Sequence, residues 1–199
     1  MVLTRRDGEP IMLEHKGTVA LETERLILRQ FKAEDAEAMF HNWASDPEVT
    51  KYLTWPTHSS VEVSKAVISD WTKLYPHSNH YSWAIVLKKS GEPIGSIATV
   101  EQNQETEMVH IGYCIGRAYW RKGYTSEALC RLVQFFFEEV DVNRIESRHD
   151  PRNPNSSKVM KKAGLKYEGT LRESDRNNQG GFCDAAYYAI LAKDFFKDI

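Results

Sequence analysis

Ile111-Gly-Tyr-Cys-Ile-Gly-Arg-Ala-Tyr-Trp-Arg-Lys-Gly-Tyr-Thr-Ser-Glu-Ala-Leu129 carries a strand pattern into a loop and the loop into a helix. In the helix, Leu129, Leu132, Val133, Phe136 and Val140 share one face. The first amides of such a helix lack intrahelical partners and sit at the positive end of the macrodipole, so the junction suits a phosphate. Gly123 lets the backbone approach closely, and Arg121 and Lys122 add positive charge. Two familiar phosphate loops are excluded. The Walker pattern would start at Gly116, but Arg121 stands where its second glycine is required, and G-x-G-x-x-G does not occur. Taken alone, the junction also fits a plain turn with a helix cap.

Working outward, residues 24–31 form a short β-prone run. Ala36, Met39, Phe40 and Trp43 then mark one helical face, which Asp46-Pro47 should end. Val63, Ala66, Val67, Trp71 and Leu74 predict a second helix, stopped by Pro76. Residues 81–87, 94–100 and 109–115 read as three strands, with a turn at Lys89-Ser90-Gly91-Glu92 between the first two. Beyond the central helix come a strand at 144–149, a helix at 155–163 with Gly164 in the C′ position, and strands at 166–172 and 183–191. The order predicts one mixed α/β (α+β) domain over 22–199, preceded by a polar extension at 1–21 in which Met12 is an alternative start.

The chain has 199 residues and a formal charge of −2, which argues against a general nucleic-acid binder. Cys114, Cys130 and Cys183 are too few and too scattered for a disulfide framework or a zinc site, and read as reduced thiols of a cytoplasmic protein. No apolar run is long enough to span a membrane, and no secretory signal opens the chain. No metal is expected.

Four motifs in order extend this reading. They are Thr23-Glu-Arg-Leu-Ile-Leu-Arg29; Ile111-Gly-Tyr with Tyr119-Trp-Arg-Lys-Gly-Tyr-Thr-Ser-Glu-Ala-Leu129; Asn153-Pro-Asn-Ser-Ser-Lys-Val-Met-Lys-Lys-Ala-Gly-Leu165; and Glu168-Gly with Arg172 and Asp184-x-x-x-Tyr188. Over residues 22–195 the chain resembles the GNAT superfamily of N-acetyltransferases, in particular its Rim-type branch, which acts on ribosomal-protein N-termini. The resemblance implies a mostly antiparallel central sheet with splayed parallel strands at the coenzyme site, flanked by helices. It implies acetyl-CoA as cosubstrate, with the pyrophosphate on the amides of Arg121, Lys122, Gly123, Tyr124 and Thr125. The pantetheine arm would pair with Tyr113, Cys114 and Ile115, with Asn153 and Ser156 beside it. Trp120, Arg121 and Thr125 depart from the family's usual Q/R-x-x-G-x-G/A, with Arg121 at a position often Gly. The acceptor it implies is a protein or peptide N-terminal α-amine. A small amine (a polyamine, amino sugar or antibiotic) and a non-catalytic acyl-CoA sensor are the alternatives. The oligomeric state is monomer or homodimer.

Acetyl transfer to an amine needs a base, an oxyanion donor and a proton for the leaving thiolate. An α-amine, of pKa about 7.7–8.0, needs less help than a lysine at about 10.4. The strand residue before Ile-Gly-Tyr, often Glu in the branch, is His110, whose unperturbed pKa of about 6.5 suits a base. It is otherwise a surface strand histidine. Glu107 and Glu101 are weaker candidates. The backbone amide of Cys114 or Ile115 would hold the oxyanion. The tyrosine that many superfamily members use as acid is replaced by Met160, which leaves Ser156 as the acid or, alternatively, as a helix cap. His149 reads as structural and Cys114 as a small buried residue. The acceptor pocket is expected from Trp43, Trp55, the 50–60 loop, strand 81–86 and the 174–183 loop. Residues 144–172 carry a net +5 and residues 34–70 a net −5, which suits an anionic coenzyme and a cationic acceptor on opposite sides.

Overall fold

The computed structural model describes residues 13–197. Eight strands make one sheet: β1 (Leu21–Glu22), β2 (Leu26–Arg29), β3 (Ser82–Leu87), β4 (Pro93–Asn103), β5 (Met108–Ile115), β6 (Arg144–His149), β7 (Lys166–Arg176) and β8 (Phe182–Leu191). Their spatial order is β1-β2-β3-β4-β5-β6-β8-β7. Every adjacent pair is antiparallel except β5–β6, joined in parallel by the crossover helix α4 (Tyr124–Glu138). The remaining helices are α1 (Asp35–Met39), α2 (Pro47–Thr50), α3 (Val61–Leu74), α5 (Pro154–Lys162) and α6 (Ala192–Phe195).

The alternation along β3 shows how both faces are filled. Trp83 and Ile85 pack under α4 with Leu26, Leu28, Val109, Ile111, Phe135 and Phe136. Ala84 and Val86 point the other way, to Phe31, Met39, Trp43 and Ile68 under α1 and α3. Tyr81, Trp83, Phe135 and Phe136 interlock edge to face, with Tyr81–Phe136 centroids 5.0 Å apart.

The predicted mixed α/β fold is the observed one, with local differences. The first strand is shorter than 24–31 because Thr23 and Arg25 turn toward α4. The stretch between β2 and β3 holds three helices, not two. Asp46-Pro47 ends one helix and starts the next, since the Asp46 carboxylate caps the amide of Glu48 and Pro47 occupies the first turn. α1 also widens into a π-helical turn over Phe40–Ala44, with the Ser45 amide reaching back to the Phe40 carbonyl at 3.1 Å. Residues before the boundary expected at 22 pack against the sheet. Leu13 is in the core, and Thr18 binds the His80 carbonyl and the Ser82 amide. Residues 1–12, including the alternative start Met12, lie outside the described residues.

Two substitutions measure this division of labour. Phe136→Ala, at a fully buried ring, should cost about 3–5 kcal/mol in urea unfolding, whereas Leu171→Ala, at a side chain 53% exposed on β7, should cost under about 1 kcal/mol.

Candidate active site

β5 and β6 pair only from Met108–Arg144 to His110–Glu146 and then separate. The separation coincides with a bulge in β4 between Thr99 and Glu101, which adds bend and twist beside the same row of β5. Past the fork, Ser147 donates its hydroxyl to the Ile111 carbonyl at 2.7 Å, closing the ladder with a side chain. Which groups of β5 face the gap follows from register. The Gly116 amide bonds to Ile94, and Cys114 and Gly112 stand opposite Ser96 and Ala98 in step with it, so their backbone groups belong to β4. Tyr113 and Ile115 alternate toward the gap. Of the two amides expected to hold an oxyanion, that of Cys114 is therefore turned away and that of Ile115 faces the opening. Cys114 contributes its side chain to the other wall, 3.2 Å from the Ser96 hydroxyl.

The loop after β5 reaches α4 through left-handed backbone at Arg121 (φ 61°) and Gly123 (φ 81°). Arg121 thus occupies a conformation that glycine takes without cost, which explains why glycine is usual there. Gly123 is the N-cap and has no side chain to bond the first-turn amides, and the first intrahelical bond is the Glu127 amide to Gly123 at 3.0 Å. Thr23 and Arg25 brace the loop: both hold the Glu127 carboxylate, and Arg25 also donates to the Lys122 carbonyl and covers the Tyr124 ring. On the other flank, Arg117 pairs with Asp46 at 2.9 Å, and Tyr119 donates to Glu92, which also receives the Asn42 amide. Burial and Glu92 push the Tyr119 phenol up to about 12.

Asn153 is the N-cap of α5 but makes no side-chain cap bond. Ser156 is not a cap either: it sits inside the first turn, with its hydroxyl 2.9 Å from the Tyr113 hydroxyl. Burial pushes the Tyr113 phenol upward, so it stays protonated. Met160 is fully buried in the core. His149 bonds through Nδ1 to the Asp150 carbonyl, its Nε2 has no partner among the described residues, and burial lowers its pKa.

His110 is not a surface histidine. It is 2% exposed, and its Nδ1 lies 3.1 Å from Glu146 Oε1. The bond to His110 and two more from Arg144 hold the Glu146 carboxyl below the usual range against its burial. Glu107 lies in the β4–β5 turn. Glu101 faces His110 across the sheet but is largely exposed, with Arg148 3.9 Å away.

One cavity of about 1140 Å³ joins these parts. Its lining includes His110 together with Tyr113, Cys114, Ile115, Arg121, Gly123, Thr125, Asn153 and Ser156. Lys122 and Tyr124, expected at the coenzyme, are not among its lining residues. The lining also includes Trp43 and Trp55, expected at the acceptor, together with Tyr52, His58, Trp71 and Tyr81. The β7–β8 hairpin arches to this wall, where the Asn178 side-chain amide donates to the Thr50 carbonyl at 2.9 Å. Asp184 takes the Glu173 amide and so staples the hairpin. Among the described residues no group of His, Cys, Asp and Glu side chains is arranged to hold a metal, and no helix is long and apolar enough to cross a membrane.

A model of the acetyltransferase (GNAT) domain matches residues 25–166. The chain belongs to the GNAT acetyltransferase family. It is 33% identical over 175 residues to the uncharacterized N-acetyltransferase p20 of Bacillus licheniformis, covering 88% of this chain and 97% of that one. The ribosomal-protein-serine acetyltransferase of Escherichia coli is 25% identical over 140 residues, covering 70% of this chain and 76% of its own length. A GNAT acetyltransferase structure from Bacillus anthracis superposes with a TM-score of 0.77 at 26% identity, over 88% of this chain and 99% of its own. The protein is accordingly an N-acetyltransferase, and the Rim-type likeness stands.

Two groups of this acetyltransferase escaped the sequence reading. The Tyr113 hydroxyl was hidden because the strand suggested only backbone pairing. Glu146 was hidden because its link to His110 exists only through the parallel register. Cys114 is buried, and that burial pushes its thiol up, whereas Cys130 and Cys183 are more accessible. Iodoacetamide applied to the native protein should label Cys130 and Cys183 well before Cys114, as peptide mapping would read. Cys114→Ala should retain turnover to within about threefold, against the loss of several orders of magnitude that removal of a covalent nucleophile brings.

Proposed function

We propose that this acetyltransferase moves the acetyl group of acetyl-CoA to a primary amine, most simply the N-terminal α-amine of a protein or peptide, in the cytoplasm and as a monomer or homodimer. The observation that carries the proposal is the continuity of the cavity, from the uncapped start of α4, past the fork between β5 and β6, to His110 and the aromatic wall beyond. The residues present fit the coenzyme. Free amides at Gly123–Thr125 and the Arg121 cation suit a pyrophosphate. The gap-facing backbone of Tyr113 and Ile115 suits the pantetheine amides, which would join as a strand does, with the Asn153 side chain nearby. Acetyl-CoA supplies the activated acyl group, and the protein's part is to orient it and move protons.

In this reading His110 Nε2 takes the proton of the attacking amine as nitrogen bonds to the carbonyl carbon. The Ile115 amide faces the developing oxyanion. The C–S bond then breaks, and the thiolate takes a proton from Ser156, whose hydroxyl is backed by that of Tyr113. Exchange with water restores both groups. The α-amine is favoured because it asks little of the base, and because a relative at 25% identity carries the name ribosomal-protein-serine acetyltransferase. The acidic 34–70 segment is consistent with a cationic acceptor.

The purified protein should release thiol from acetyl-CoA in the presence of peptides beginning with Ser or Ala. Mass spectrometry should place the added acetyl on the α-amine rather than on a lysine. His110→Gln should lower kcat about 10²–10⁴-fold while leaving the KM for acetyl-CoA near its original value. Acetylation confined to polyamines or amino sugars would replace the acceptor assignment, and an unchanged kcat in His110→Gln would remove the base.

A further inference from the structure

Behind His110 lies a continuous chain of charged groups that the reaction scheme above does not use. Glu168 on β7 binds Arg144 on β6 through two bonds, at 2.6 and 3.0 Å. Arg144 binds Glu146 Oε2 through two more, at 2.9 and 3.1 Å. The other oxygen, Glu146 Oε1, meets His110 Nδ1 at 3.1 Å. The chain therefore runs from the exposed edge of the sheet to the cavity, with residues from β7, β6 and β5 and passing over β8 between the first two. Its last link sits on the final paired row of β5 and β6, His110–Glu146, immediately before the fork. Glu146 itself does not line the cavity, whereas His110 does. Of the other groups near this row, Arg148 pairs with Asp175 at 2.8 Å and lies 3.9 Å from Glu101, the residue opposite His110 on β4, and the Tyr187 ring stands edge-on to His110 with centroids 6.4 Å apart.

We propose that Glu146 is the positioning residue of the catalytic centre. Its carboxylate accepts the Nδ1 proton of His110, so the neutral ring carries its lone pair on Nε2, the nitrogen that receives the proton of the acceptor amine. Two facts require this tautomer. A carboxylate that is ionised can only accept, and the two bonds that Arg144 donates to Glu146 Oε2 favour the ionised form. The 2% exposure of His110 leaves the ring without room for bulk water to compete for Nδ1. Arg144 and Glu168 then hold the carboxylate plane, so that ring orientation is set by the sheet rather than by substrate. The inference rests on His110 being the base, and its consequences differ from those of that assignment.

The test combines kinetics with a spectroscopic reading of the intact protein. In ¹⁵N-histidine-labelled wild type, the His110 ring should show protonated Nδ1 and unprotonated Nε2 at a pH where it is neutral. Glu146→Gln, which keeps shape and burial, should redistribute the tautomers. With acetyl-CoA and the best peptide acceptor, it should lower kcat about tenfold with little change in the KM for acetyl-CoA. The double variant Glu146→Gln/His110→Gln should be no slower than His110→Gln alone, because Glu146 acts only through His110. Additive losses would overturn the role of Glu146 while leaving His110 as base, and a wild-type ring protonated at Nε2 would overturn both, since that nitrogen could not then take the amine proton. An unchanged kcat in His110→Gln would overturn both.

Discussion

The parallel pairing of β5 and β6 lasts three rows, and the active site exists because it stops there. An unbroken parallel ladder would satisfy every amide and carbonyl of β5 and leave nothing for a ligand to pair with. A fork with no closure at all would let water into the core. The bulge in β4 and the Ser147 hydroxyl act on the same short segment: one bends the strand away, and the other seals the last carbonyl before the gap. The elements that meet the ligand are arranged around this opening. α4 begins at one end of it, α5 lies along one face, and the aromatic wall stands on the other.

The chemistry divides along the same line. Groups on the α5 face, Ser156 and Tyr113, keep their protons and suit donation. Groups on the opposite face, His110 with Glu146, suit acceptance. The alternation of side chains along one strand separates the two functions, since His110 and Tyr113 differ by an odd number of residues and so point to opposite faces. The two faces of one strand thus keep the Tyr113 and Ser156 hydroxyls apart from the His110 ring.

Most of the fold was legible in the sequence because its signals are local. The periodicity of Leu129–Val140, the turn at Gly91 and the C′ glycine at 164 each act within a few residues. The loop before α4, proposed for the coenzyme, was legible as a strand–loop–helix junction for a related reason, as such a junction is marked by a few consecutive residues. What escaped depends on register between distant segments. The turning of the Cys114 amide toward β4, the seat of Ser156 inside α5 beneath the Tyr113 hydroxyl, and the approach of Glu146 to His110 all follow from how strands align. The π-helical turn at Phe40–Ala44 escaped as well, because its apolar spacing is nearly that of an ordinary helix.

Gly116 has no space for a side chain, since a Cβ there would run into the Asn42 carbonyl of that π-helical turn. The loop that leads to the coenzyme and the helix that walls the acceptor side therefore touch backbone to backbone. Asn42, Glu92 and Tyr119 lock the contact from one side, and Arg117 with Asp46 from the other. The two halves of the cavity are in this sense a single rigid part, with no soft layer between them to absorb a displacement. In such a framework the side chains that face the cavity from neighbouring segments, such as Tyr52, Trp55 or Trp71, can be exchanged without disturbing the contact at Gly116.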